Sequence, residues 1–140
     1  MGQPDFDGKQ SEAEFILSVA VEMGGRSRPD DIVARCLEMG GWADQLDGIL
    51  QKALRVRVTN ALKTLDPANK LPLYAPTEAG EWVQHSLLAE TEMEWIIVQR
   101  HKGVIADYKI LIRYQKEMIR TYGWAPEIFL TKDEWNADEP

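Results

Sequence analysis

Residues 55–82 read RVRVTNALKTLDPANKLPLYAPTEAGEW, and the fold turns on how that stretch divides. Its first part continues an apolar stripe that begins at Leu46. Ile49, Leu50, Ala53, Leu54, Val58, Ala61, Leu62 and Leu65 recur with a period near 3.6, one side of an amphipathic helix. The helix breaks at Asp66-Pro67. Leu71-Pro72-Leu73-Tyr74 suits a short or edge strand, because Pro72 lacks a ladder donor. Pro76 pushes Ala75 out of the helical region, and Thr77 with Glu78 reads as the N-cap and first turn of a new helix. The expected order is therefore helix, short extended excursion at 70–76, helix.

The side of this helix opposite the apolar stripe carries Lys52, Arg55, Arg57, Thr59, Asn60 and Lys63. Residues 51–70 have a net charge of +4 in a chain whose total is −7. Arg, Lys and Asn are the side chains that reach phosphates and base edges in a major groove. A solvated charged helix face is the ordinary alternative.

The run R-V-x-x-A-L-x-x-L followed by L-Y-x-x-T-E-A-G resembles the third helix, wing and following helix of winged helix-turn-helix domains. Arg57, Val58, Ala61, Leu62, Leu65, Tyr74, Thr77, Glu78, Ala79, Gly80 and Trp82 carry the likeness. It is similar above all to the N-terminal domain of Mrr-type restriction endonucleases and related regulators, over residues 10–90. The resemblance implies a mostly α fold with a short β wing, here followed by a C-terminal helical extension. It also implies contact with double-stranded DNA. The wing is short and interrupted by proline, with Lys70 its main basic residue, and an acidic total is unusual for a DNA binder.

In chain order, residues 1–10 read as a disordered leader. Ser11 and Glu14 have capping-box spacing for a first helix with Phe15, Ile16, Val19, Ala20 and Met23 inward, ended by Gly24-Gly25. Pro29, Asp30 and Asp31 open a second helix that turns Ile32, Val33, Cys36 and Leu37 inward and stops at Gly40-Gly41. Trp42 is expected to anchor the turn before the third helix. These three helices and the wing make one domain over 11–90.

Beyond the wing, Trp82, Val83, Leu87 and Leu88 suggest the inward side of the next helix. Thr91 and Glu94 suggest a further helix start, ahead of Trp95, Ile96, Ile97 and Val98. His101-Lys102-Gly103 reads as a turn, and Val104, Tyr108, Leu111, Ile112, Gln115, Met118, Ile119 and Tyr122 follow at helical spacing. Alternation at Tyr108, Ile110, Ile112 and Tyr114 also fits a β-hairpin pairing 95–100 with 104–114. Helices are preferred, since the pattern outlasts an ordinary strand. The extension at 91–123 either dimerises or folds back to complete the core, and the sequence leaves both open. The tail at 124–140 is acidic yet holds Trp124, Ile128, Phe129, Leu130 and Trp135, so it is expected to dock on the body or on a partner. It would also be able to shield a basic face from DNA.

At 140 residues, 44% apolar and with five tryptophans, the chain can bury a core. Its single cysteine allows no internal disulfide and is expected to be a buried structural thiol; a reducing cytoplasm suits it. No signal peptide or membrane span is evident. His85 and His101 have no cysteine or histidine at metal-ligand spacing, and no phosphate loop, nucleophile elbow or HExxH motif occurs. Neither an enzyme nor a cofactor is expected.

Charge alternates in blocks: −6 over 1–50, +4 over 51–70, −5 over 71–94, +4 over 95–123 and −4 over 124–140. Non-specific DNA affinity comes mostly from phosphate neutralisation, so binding depends on a local basic face. The expected contact set is Lys52, Arg55, Arg57, Thr59, Asn60, Lys63 and Lys70, in a homodimeric regulator or accessory factor of a mobile element or defence system. The alternative is a protein-interaction module on the same fold that engages a basic or nucleic-acid-handling partner. A third reading is an enzyme subunit without its own active site.

Overall fold

In the computed structural model, the described residues are 12–39, 48–103 and 108–136, with only the backbone described for 48–51. The expectations for Ser11, for Gly40-Gly41 and Trp42, for Val104 and for residues 1–10 therefore lie outside them.

Three helices come first: α1 (Glu12–Glu22), α2 (Pro29–Met39) and α3 (Gly48–Leu62). Each buries much of the stripe that its spacing marks out, although Ala53 and Leu65 of the third stripe are exposed. Ile16, Val19 and Ala20 of α1 meet Ile32, Val33, Cys36 and Leu37 of α2 and Leu54, Val58, Ala61 and Leu62 of α3. Cys36 is fully enclosed, and burial pushes its thiol up to about 11. Between α1 and α2 lies a two-residue strand, β1 (Arg26–Ser27).

After α3 come β2 (Tyr74–Pro76) and β3 (Trp82–Gln84). The sheet is antiparallel with order β1-β3-β2. Arg26 and Ser27 pair with Val83 and Trp82, and Tyr74, Ala75 and Pro76 pair with Gln84, Val83 and Trp82. Proline fits at the end of β2 because that strand is an edge. The excursion expected at 70–76 is present.

The helix expected from Thr77 is not. Residues 77–81 are the turn of the β2–β3 hairpin. The Thr77 backbone N–H and Oγ1 both donate to the Glu81 carbonyl, at 2.9 and 2.8 Å, and the Gly80 N–H donates to the Thr77 carbonyl at 2.9 Å. Thr and Glu serve a tight turn as readily as a helix start. Gly80, at φ +86°, closes the turn in a conformation that no helix continues. Trp82 and Val83 are correspondingly not on one helical side but on opposite faces of a strand.

That alternation makes the sheet a wall between two cores. Tyr74 and Trp82 point into the α1–α3 side. Ala75 and Val83, with Leu71, point to the other side, where α4 (Glu90–Lys102) and α5 (Tyr108–Tyr122) cover them. Met93, Ile96 and Ile97 of α4 and Leu111, Tyr114 and Met118 of α5 are buried there. Burying one such side chain is worth roughly 1.5–3 kcal/mol. Of the two fates open to 91–123, folding back is the one seen. Residues 95–114 form helices among the described residues and not a hairpin.

A 3-10 turn (His85–Leu87) leads into α4, which is capped two residues before the expected capping residue Thr91. Ala89 is its N-cap and has no side-chain oxygen; instead the Glu92 carboxylate accepts the Ala89 N–H at 2.9 Å. The tail runs back along α5. Ala125, Ile128 and Leu130 pack on the second core, Gln115 Nε2 donates to the Pro126 carbonyl at 3.1 Å, and α6 (Lys132–Asn136) is the last of the described elements. The docking expected of this tail is thus on the body.

Candidate nucleic-acid interface

The 15 residues of α3, GILQKALRVRVTNAL, include no acidic side chain. At about 100° per residue, Leu54, Val58, Ala61 and Leu62 mark the inward side. Lys52, Val56, Thr59, Asn60 and Lys63 lie on the outward side, with Arg55 and Arg57 at its two margins, each about 100° from Val56. Val56, 58% exposed, is at its centre, so this ridge is open to solvent and not covered by the described part of the tail.

The expected contact set is brought together only in part. Arg57 lies about 160° around the helix from Arg55, facing α1, where its Nε is 3.7 Å from Glu12. Arg55 faces α2, its Nε 3.3 Å from Asp30. The Arg55 and Asp30 side chains are 58% and 71% exposed, and such a pair is worth well under about 1 kcal/mol. A phosphate can therefore take the place of Asp30 at little cost. Thr59 donates its Oγ1 to the Val56 carbonyl at 3.0 Å, which leaves that oxygen as an acceptor. The Lys63 ammonium lies 5.9 Å from the centroid of the Trp82 ring and so ties the end of α3 to the sheet. Lys70 stands apart from all of these, beyond the helix in the turn at 66–71, with φ +56°.

The hairpin turn beside α3 has the opposite charge. Residues 77–81 hold Glu78 and Glu81 and no Lys or Arg. Two arginines from the β1 segment fix this turn. Arg28 Nη2 donates to the Ala79 carbonyl at 2.9 Å, and Arg26 Nη1 lies 3.7 Å from Glu81. Arg26 also grips Glu92 of α4 with two bonds, at 2.7 and 2.9 Å, and this holds the Glu92 carboxyl below its ordinary range. These arginines belong to the fold; their cationic ends are turned onto acidic and carbonyl oxygens.

A second set of cations contributes to the net charge of +4 over residues 95–123. Lys109, Arg113, Lys116 and Arg120 share one side of α5. Their spacing of four, three and four is the signal that would have shown it.

Among the described residues, no cluster of three or more His, Cys, Asp or Glu side chains is placed to hold a metal ion. No described helix is long and apolar enough to cross a membrane. No family model, curated protein or solved structure matches the chain.

Proposed function

We propose that residues 12–84 form a winged helix-turn-helix module that presents α3 to the major groove of duplex DNA. The element order helix, strand, helix, helix, strand, strand supports this, with β3 central in the sheet. The observation that carries the reading is the outward side of α3: cationic, free of carboxylates and exposed, in a chain of net charge −7. Lys52, Arg55 and Lys63 hold phosphates. Asn60 and Thr59 reach base edges. Arg57 serves as a flanking phosphate contact. The acidic turn at 77–81 is held off the DNA, so affinity rests on α3. In keeping with the Mrr-type resemblance, the cellular role is that of a regulator or accessory factor of a mobile element or defence system. The apolar sides of α4 and α5 are used within the chain, so a homodimer would form through another surface.

The test is fluorescence anisotropy with a labelled duplex at about 50 mM salt. Lys52→Glu with Arg55→Glu is expected to weaken binding at least about tenfold with little change in melting temperature. Arg57→Glu has a smaller effect. Undiminished binding by the double variant overturns the reading.

One observation favours a second reading, a module that docks a basic protein. Residues 71–94 hold five acidic side chains and no basic one. Thr77, Glu78, Thr91, Glu92 and Trp95 line a cleft between the hairpin turn and α4. A protein that retains no random duplex at low salt, even at high concentration, would favour this reading.

A further inference from the structure

Helix α5 has a buried side and an opposite side of nearly uniform charge. Leu111, Ile112, Tyr114, Gln115 and Met118 face inward. On the other side Lys109, Arg113, Lys116 and Arg120 fall within about 60° of one another and run for about 16 Å along the axis. Like charges three or four residues apart cost a helix about 0.2–0.5 kcal/mol per pair. Lys109 with Arg113, Arg113 with Lys116, and Lys116 with Arg120 are three such pairs. Part of that cost is offset within the fold, because Arg113 and Lys116 are half-buried and contact other elements.

The ridge borders a cleft of about 290 Å3, walled on its far side by the turn at 66–71. Ala68, Asn69, Arg113, Lys116, Glu117 and Arg120 line it. The walls are braced. Arg113 Nη1 donates to the Lys70 carbonyl at 3.1 Å, Lys116 lies 5.5 Å from the centroid of the Trp135 ring, and Arg120 pairs with Glu117. Lys70 is exposed at the rim. The same turn is bound to the end of α3. The Leu73 N–H donates to the Thr64 carbonyl and the Asp66 N–H to the Leu71 carbonyl, both at 2.8 Å. The segment that leaves the α3 ridge therefore delivers Lys70 directly to α5.

We propose that the α5 ridge and this cleft bind the phosphodiester backbone of the duplex, as a clamp distinct from α3. The proposal rests on the DNA reading above and extends it. Duplex DNA carries one negative charge per about 1.7 Å of its axis, so a straight cationic ridge about 16 Å long lies against a dense field of phosphates. Among the described residues, the cleft has three cations, Arg113, Lys116 and Arg120, to one carboxylate, Glu117, and Lys109 continues the row along α5, which complements that charge. The contact is with phosphate alone and carries no base preference.

The test is the salt dependence of duplex binding. Lys109→Glu with Arg120→Glu spares the Arg113 bond to the turn and the Lys116 contact with Trp135. Each lost phosphate contact lowers the slope of log K against log salt by about 0.9, so the expected loss is nearly two, with affinity falling by the same factor for every duplex sequence. If reversal disturbs the circular dichroism spectrum, Lys109→Gln with Arg120→Gln is read in the same way. An unchanged slope and affinity overturn the clamp and leave the α3 reading standing. Loss in the α5 variant with no loss in the Lys52→Glu, Arg55→Glu variant overturns the α3 reading instead. A wild-type chain that binds no duplex overturns both.

Discussion

Gly25 follows α1 at φ +75°, and a Cβ there would stand 2.9 Å from Leu87 Cδ1 and 3.0 Å from Gln84 Oε1. Its neighbour Gly24 is also left-handed, at φ +95°, but has open space around the missing Cβ. Alanine at either position meets backbone strain of about 1–2 kcal/mol. Only at Gly25 must it also displace side chains of the β3 segment, whose Gln84 N–H donates to the Gly25 carbonyl at 2.8 Å. Gly24→Ala and Gly25→Ala are each expected to cost about 1–2 kcal/mol in urea unfolding, Gly25→Ala slightly more because the free ends of Leu87 and Gln84 must swing aside. Equal losses would show that the contact with Leu87 and Gln84 does not matter. The Gly-Gly pair reads correctly from sequence as the end of α1. The different duties of its two members do not, because the second depends on a strand nearly 60 residues later.

Elements with a long apolar period were the most legible. The stripes of α1, α2, α3 and α5 name most of the residues that are buried, though Ala53, Leu65 and Ile119 are exposed, and the pattern through Tyr122 favours a helix over a hairpin as observed. The short elements were not legible. A strand of two residues, Arg26–Ser27, has no periodicity to detect, and without it Trp82, Val83 and Gln84 lack a visible partner. The Thr-Glu-Ala-Gly turn uses residue types shared by helix starts and hairpins, and only Gly80 discriminates. Of the candidate site, residue type and charge were legible. The division of Arg55 from Arg57 could be counted from helical spacing, whereas their acidic partners on α2 and α1 required the packing. The clasp between β1 and α4 was equally hidden, since it joins Arg26 to Glu92. Arg26 depresses the Glu92 carboxyl, so the clasp contributes fully above the ordinary carboxylate pKa and is lost as pH falls through the depressed value. Glu92→Gln is expected to lower stability by about 1 kcal/mol at neutral pH, Arg26 being partly exposed. The difference from wild type should vanish in acid. Melting curves across pH 2–7 check this, and a gap that persists at the acid end would contradict it.

The whole molecule is organised by the sheet, which serves both cores at once. Loosening either core therefore loosens the wall common to both. Ile16→Ala in the first core and Ile97→Ala in the second each remove a buried side chain, at a cost of about 2–5 kcal/mol. Both are expected to lower a single cooperative transition in calorimetry. Two transitions that respond separately would mean that the halves fold independently. The charge pattern belongs to the same scale: two positive blocks, α3 and α5, are set in an acidic chain and joined by the turn at 66–71. The alternation of side chains through β3 has a consequence for inheritance. A one-residue insertion or deletion within Trp82–Gln84 would exchange indole and isopropyl between two compartments fitted to the other's shape. A change in length within the strand is thus barred, and Trp82–Gln84 stays fixed in phase in any chain that keeps both compartments.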